Sequence, residues 1–193
     1  MRKTIFTKNH INMNKLKLLT IRALSVISCV MLAMSASAYD FAVDGIYYTA
    51  NGTNASVTYK DTNYNSYSGT VNIPATVTYG GTTYTVSSIG YQAFRNCTDL
   101  KRVVMPNTVE YIAAYAFYGC SALTNITIPA SAYTIYQNAF NACNGLKSVI
   151  CLSTQATGQN NVVANCFSAT TFSNATLYVP VGTVDTFSAI TSC

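Results

Sequence analysis

Apolar residues recur through the middle of the chain with a constant 23-residue period, beginning with Ile89, Ile112 and Ile135. The same period relates six further sets of three residues: Ala93, Ala116 and Ala139; Phe94, Phe117 and Phe140; Cys97, Cys120 and Cys143; Leu100, Leu123 and Leu146; Val103, Ile126 and Val149; and Met105, Ile128 and Cys151. One unit of this size cannot bury its own apolar side and needs a neighbour. A period in the low twenties therefore predicts a solenoid, in which each coil stacks its apolar columns on the next.

Each unit divides into two parts with different patterns. The part after the shared leucine alternates, so Val103 and Met105 should face inward while Arg102 and Val104 face outward. This alternation predicts a short strand, parallel to its counterparts in neighbouring coils. The part around the Ala-Phe pair predicts a short helical turn whose Ala and Phe pack underneath. The predicted fold is thus a β-rich solenoid.

The repeats occupy residues 86–152 and lie between two stretches of different composition. Residues 39–85 are rich in Thr, Tyr, Asn, Gly and Val, and a Gly80-Gly81 step separates two β-prone runs, which predicts a hairpin. We therefore expect an N-terminal β-hairpin cap at 39–85 and a C-terminal cap at 153–193.

The N-terminal segment, 1–38, has the pattern of a secretory signal peptide. Basic residues precede an apolar run from Ala23 to Met34, and Ala36-Ser37-Ala38 has the small-x-small form that signal peptidase cleaves. An alternative is a lipoprotein signal ending at Cys29, although the apolar run continues beyond that residue. The protein is expected to be secreted or at the cell surface, and on a membrane only if it is lipidated at Cys29.

Removal of this segment changes the charge and the available chemistry. The whole chain has a formal charge of +5, but residues 39–193 keep five basic and six acidic residues, a net of −1, so no nucleic-acid partner is predicted. The one histidine, His10, is removed too, and with it the usual general base and metal ligand. Glu110 is the only glutamate, and the spacing of the aspartates indicates no carboxylate pair. We therefore expect no catalytic residue, metal site or cofactor, and no enzyme activity.

The repeat pattern I-G-x-x-A-F-x-x-C-x-x-L-x-x-V-x-I-P resembles the BspA-like leucine-rich repeat family. The segment YDFAVDGIYY from Tyr39 resembles the start of its mature members, and ATLYVPVGTVDTF from Ala175 resembles their last strand and closing helix. The third unit departs from the pattern, since it ends in CLST. The resemblance implies a solenoid of the α+β leucine-rich repeat type. It also implies an adhesin of an anaerobic bacterium that binds a host or bacterial surface protein.

The outward positions of the predicted strands form the candidate binding face, because a row of exposed side chains across stacked strands can act as one extended surface. The candidate residues are Arg102, Val104, Asn125, Thr127, Ser148, Ile150 and Tyr178, and the same row includes Thr70, Asn72 and Thr176. This row is mildly apolar with one charge, which favours a protein partner or a glycan. The alternatives are a solvated sheet face, and a structural or accessory repeat unit without its own ligand.

Tyrosines outside the apolar columns offer a second candidate surface. Tyr91, Tyr115, Tyr118 and Tyr133 take positions where other units carry polar residues, so we expect them to reach the surface. Exposed tyrosines are common in binding faces, although tyrosine also suits any β-rich surface.

The cysteines are expected to be buried thiols and not disulfides. Cys97, Cys120 and Cys143 share one column, and Cys166 falls 23 residues after Cys143, although no Ala-Phe pair precedes it. Side chains in one column run parallel, whereas a disulfide needs its two sulfurs turned towards each other. The sequence leaves open the redox state of Cys97, Cys120, Cys143, Cys151, Cys166 and Cys193.

Overall fold

The computed structural model of the protein describes residues 38–154 and 166–182. Several predictions fall on residues outside these ranges. They are the signal peptide apart from Ala38, the lipid-anchor residue Cys29, the closing helix and Cys193.

The described residues are rich in strands and almost free of helix. The strands are β1 (Phe41–Val43), β2 (Ile46–Asn51), β3 (Asn54–Thr58), β4 (Gly69–Asn72), β5 (Thr76–Tyr79), β6 (Thr82–Ile89), β7 (Leu100–Val104), β8 (Tyr111–Ile112), β9 (Asn125–Ile128), β10 (Thr134–Ile135), β11 (Ser148–Cys151) and β12 (Thr176–Tyr178). One short helix, α1 (Ala169–Asn174), precedes the last of these strands.

Seven of these strands form one sheet. Six of them follow the order β1-β2-β3-β6-β8-β10, and the seventh, β5, pairs with β6. The neighbours β6, β8 and β10 are parallel, and their registers align Ile89 with Ile112 and Ile112 with Ile135. All three isoleucines are buried. The other strands form two smaller parallel groups, β4 with β7 and β9 with β11 and β12.

A ladder of stacked phenylalanines runs through the core. Phe94 and Phe117 have ring centroids 4.9 Å apart with planes 2° from parallel. Phe117 and Phe140 stack at 5.1 Å and 5°, and Phe140 and Phe167 at 5.1 Å and 12°. The first three rings are fully buried, so each ring fills the space between its own repeat unit and the neighbouring ones.

The segments around each Ala-Phe pair are hydrogen-bonded turns and not helical turns as predicted. Gln92, Tyr115 and Asn138, which hold equivalent positions in successive units, have φ of 58°, 59° and 57°, in the left-handed region. A residue in this conformation stops a right-handed helix. Each turn keeps three-residue backbone bonds within its unit, such as the N–H of Arg95 to the carbonyl of Gln92 at 3.0 Å. Bonds between units are added to these: the N–H of Phe94 donates to the carbonyl of Ala116 at 2.7 Å.

The N-terminal strands extend the sheets that the repeats form. β5 and β6 make the hairpin that the Gly80-Gly81 step predicts, and φ is positive at both glycines, as a tight two-residue hairpin turn requires. β3 pairs in parallel with β6, and β4 pairs in parallel with β7. Residues of the predicted cap thus add β1, β2, β3 and β5 to the seven-stranded sheet and pair β4 with β7.

Cys166 falls 23 residues after Cys143 but does not continue the cysteine column. The N–H of Phe140 donates to the carbonyl of Cys166 at 2.8 Å, and Phe167 stacks on Phe140. In the units before it, Ala116 and Ala139 accept the equivalent bonds, so Cys166 takes the alanine position. The interval from Ala139 to Cys166 is longer by four positions than the interval from Ala116 to Ala139. Residues from Cys166 onward are therefore displaced by four positions from the 23-residue period.

Candidate functional site

The predicted binding residues lie on two groups of parallel strands, β4 with β7 and β9 with β11 and β12. β7 lies beside β9, so the outward side chains of all five strands form one surface, named here the strand face. All seven candidate residues are on its outward side: Arg102, Val104, Asn125, Thr127, Ser148, Ile150 and Tyr178.

Strand register brings these residues into straight rows. Thr127 is the register partner of Ile150, which in turn is the partner of Tyr178. The row beside it consists of Asn125, Ser148 and Thr176. On the other group of strands, Arg102 is aligned with Thr70 and Val104 with Asn72.

Exposure differs along the strand face. Tyr178 and Val104 are 54% and 40% exposed, whereas Ser148 and Ile150 are half-buried. The alternate residue Val103 is buried, because successive side chains of a strand point to opposite sides. The inward and outward positions predicted for β7 are therefore confirmed, and Tyr178 is the most accessible aromatic side chain on the face.

At its N-terminal end the strand face opens into a cleft of about 500 Å³. Thr70 and Asn72 of β4 form one side of this cleft, and the β1–β2 turn with Asp44 forms the other. The repeat pattern does not extend to these residues, so the sequence did not reveal the cleft.

Three of the predicted surface tyrosines belong to a separate aromatic cluster at the turns. Ring centroids of Tyr91 and Tyr115 are 6.1 Å apart, and those of Tyr115 and Tyr118 are 5.8 Å apart. The guanidinium of Arg95 lies 5.7 Å from the ring of Tyr118 and 5.0 Å from that of Tyr64, close enough for cation–π attraction. Sequence reasoning missed Tyr64, which comes from the loop between β3 and β4.

Tyr133 lies elsewhere, at the edge of the seven-stranded sheet. Its ring meets that of Tyr111 edge to face at 4.8 Å, and its hydroxyl bonds to the Tyr111 hydroxyl and donates to Glu110 Oε2 at 3.4 Å. The hydrogen bond with Tyr111 is the main reason that the pKa of Tyr133 is raised. The four predicted surface tyrosines therefore lie in two places, and neither place forms one patch with the strand face.

The described cysteines are unsuited to nucleophilic chemistry. Cys97, Cys120, Cys143 and Cys151 are buried thiols outside any disulfide. Burial raises the pKa of Cys97 to about 11, and hydrogen bonding to Cys143, followed by burial, raises the pKa of Cys120. A reactive cysteine requires a lowered pKa and exposure. The thiol of Cys120 instead donates to the carbonyl of Phe94 at 3.0 Å, within the core.

Residues 38–154 and 166–182 contain neither a cluster of metal-ligating side chains nor a helix long enough to span a membrane. No group of three or more His, Cys, Asp or Glu side chains within these ranges could hold a metal ion. The helix α1 has only six residues, and no helix of the described stretches reaches the length that a membrane span requires.

Comparison with known proteins adds a family and a set of related structures. Residues 76–186 match the family model described as BspA type Leucine rich repeat region, in six copies. No protein of curated function matches the chain at a significant level. A leucine-rich repeat protein from Bacteroides ovatus is 30% identical, with a TM-score of 0.56 over 73% of this chain and 37% of that protein.

Two further solved structures are similar. A leucine rich cell surface protein from Faecalibacterium prausnitzii is 25% identical, with a TM-score of 0.53 over 72% of this chain and 42% of its own. A leucine-rich repeat protein from Bacteroides capillosus is 24% identical, with a TM-score of 0.58 over 72% of this chain and 97% of its own, a likeness of fold alone. The chain thus spans less than half of the first and second of these three proteins.

Proposed function

Because this chain belongs to the BspA-type leucine-rich repeat family, we propose that it is a secreted or cell-surface protein that binds another protein through the strand face. The related structure from Faecalibacterium prausnitzii is described as a cell surface protein, which supports the location. The observation that carries the binding role is the pair of outward rows across β9, β11 and β12, which present aligned side chains from three strands.

The proposed architecture behind this face is a solenoid with a 23-residue period, capped at its N-terminal end by residues 39–85. The stacked phenylalanines and the isoleucine register support the period, since equivalent residues of successive coils are direct neighbours. A rigid stack of this kind holds its outward side chains at fixed spacing, so binding costs little conformational entropy.

The chemistry of the strand face suits a protein partner. Tyr178 offers an exposed aromatic ring with a solvent-accessible hydroxyl, and Val104 and Ile150 add apolar area beside polar neighbours. Protein interfaces combine such anchors with few charges at their centre. Arg102 is the only charged residue among the seven, so contact would require little desolvation of charge.

We propose that binding proceeds without catalysis. Residues 39–193 contain no histidine, and the only glutamate, Glu110, is engaged by Tyr133. The raised pKa of Cys97 keeps its buried thiol protonated at neutral pH. These features leave the described residues without a combination of acid, base and nucleophile.

Binding of the purified protein to immobilised host matrix proteins, mucins and bacterial surface proteins tests the proposal. Tyr178→Ala should weaken the strongest interaction about tenfold or more, because it removes an aromatic anchor. Val104→Asp should abolish it, because a carboxylate would be buried without a partner. Tyr136→Ala is the matched control, since Tyr136 is 44% exposed and lies outside the strand face.

Equal binding by Tyr178→Ala, Val104→Asp and the control would place the site elsewhere. Absence of binding to every protein would favour a structural or accessory repeat unit without its own ligand.

A further inference from the structure

A second concave surface crosses the outer face of the seven-stranded sheet, on different strands from the strand face. It is a groove of about 390 Å³, and its floor is a row of side chains from four neighbouring strands. Register pairs Thr49 with Ser56, Ser56 with Ser88 and Ser88 with Tyr111. The row therefore runs straight across β2, β3, β6 and β8.

The groove is lined by hydroxyl and amide groups and carries no charged side chain. Asn51 and Asn54, which are register partners, stand beside the serine and threonine hydroxyls. Hydroxyls and carboxamides both donate and accept hydrogen bonds. A phosphate or carboxylate would lose water here without meeting an opposite charge. The chemistry favours a neutral ligand that offers many donors and acceptors.

The floor of the groove is ordered before any ligand arrives. The hydroxyls of Ser56 and Ser88 are hydrogen-bonded to each other across the two strands. Both residues are half-buried, so their remaining hydrogen-bonding capacity faces the groove. Groups that are already held in place lose little entropy when a ligand binds.

Tyr111 supplies an aromatic wall at one end. Its ring is 36% exposed and is held by Tyr133, edge to face at 4.8 Å, and Tyr133 in turn donates to Glu110. The face of an aromatic ring carries partial negative charge, which attracts the slightly positive C–H groups of a flat, saturated ring. A fixed phenol ring beside hydroxyl and amide groups therefore suits a ligand that packs C–H groups on the ring and places hydroxyl groups at its edge for hydrogen bonding.

We propose that this groove binds a neutral saccharide, with one sugar ring against Tyr111 and its hydroxyls bonded by Asn54, Ser56 and Ser88. The volume lies within the range of pockets that hold small ligands. No residue of the groove belongs to the strand face, so this site is independent of the protein-binding role proposed above.

The test compares immobilised neutral disaccharides (lactose, maltose, cellobiose and N,N′-diacetylchitobiose) with two acidic probes, sialyllactose and a heparin disaccharide. The purified full chain should bind at least one neutral disaccharide, and more tightly than either acidic probe. Tyr111→Ala should weaken that binding about tenfold, and Tyr111→Phe should retain most of it, because the ring face remains.

Two more variants make the result specific. Asn54→Ala removes an exposed amide that the fold does not need, so it should weaken sugar binding without changing the thermal midpoint. Tyr136→Ala, an exposed tyrosine outside the groove, should bind as the unmodified protein does. Failure of all four neutral disaccharides, tighter binding of an acidic probe, or full binding by both Tyr111→Ala and Asn54→Ala would overturn the proposal. Loss of strand-face binding in Tyr178→Ala would leave it unaffected.

Discussion

Replacement of Phe117 by alanine tests the stacked core most directly. The ring is fully buried and lies between Phe94 at 4.9 Å and Phe140 at 5.1 Å, so the variant leaves a cavity between repeat units. Removing a buried phenylalanine costs about 3 to 5 kcal/mol. Both neighbouring units are held in place by further columns and cannot collapse into the space, so we expect the upper part of this range.

That loss is large compared with the total stability of about 5 to 15 kcal/mol that is typical of a domain. For a domain of this size, about 2 to 4 °C is lost per kcal/mol, so a loss of about 4 to 5 kcal/mol should lower the thermal midpoint by roughly 8 to 20 °C. The chain contains no tryptophan, so far-UV circular dichroism in urea or during heating is the suitable measurement. Tyr136→Ala, which truncates an exposed ring, should change stability by less than about 1 kcal/mol.

The stacking itself can be measured with a double-mutant cycle. Phe117→Ala and Phe140→Ala, alone and combined, should show a coupling energy of about 0.5 to 1.5 kcal/mol. If Phe117→Ala and Tyr136→Ala unfolded at the same urea concentration, the assignment of inward and outward positions would be wrong. A coupling energy of zero would show that the two rings do not stack.

Two further predictions concern the thiol column and the close contact between repeat units. Burial raises the pKa of Cys97 from 9.0 to about 11, so the unfolded thiol ionises first and stability should fall as the pH rises from about 9 to about 11. Urea midpoints of Cys97→Ala should fall less over this interval, and equal falls would contradict the burial of the thiol. Gly145→Ala should cost about 1 to 3 kcal/mol or more, because its Cβ would overlap the backbone oxygen of Ser121. Gly52→Ala, where φ is +60° but the surrounding space is open, should cost only about 1 kcal/mol, and equal thermal midpoints would refute the steric argument.

The part of the fold that could be predicted depends on local patterns. Alternation in β7 assigned Val103 to the core and Val104 to the surface, and both assignments are confirmed at 4% and 40% exposure. Such patterns are reliable because strand geometry sends successive side chains to opposite sides regardless of the rest of the chain. The prediction of a helical turn around the Ala-Phe pair was wrong for a local reason as well. Gln92 and Tyr115 adopt left-handed backbone conformations, which the hydrophobic pattern does not reveal.

Cys166 shows where a prediction from a fixed 23-residue period fails. A fixed period assumes that every repeat unit has the same length, and the stretch after Ala139 is longer by four positions. Only the bond from Phe140 to Cys166 and the stacking of Phe140 on Phe167 identify the new register.

The sequence by itself determined the repeat, the inward columns and the outward positions of the strand face, because these follow from spacing along the chain. Only the tertiary structure decided how separate segments meet. It brought Tyr64 beside Arg95 and aligned Thr49, Ser56, Ser88 and Tyr111 in one groove. Thr49, Ser56 and Tyr64 come from outside the repeats, so no pattern along the chain relates them to Ser88, Arg95 and Tyr111. Their proximity results from the stacking of repeat units and from strand register, which depend on the whole packed core.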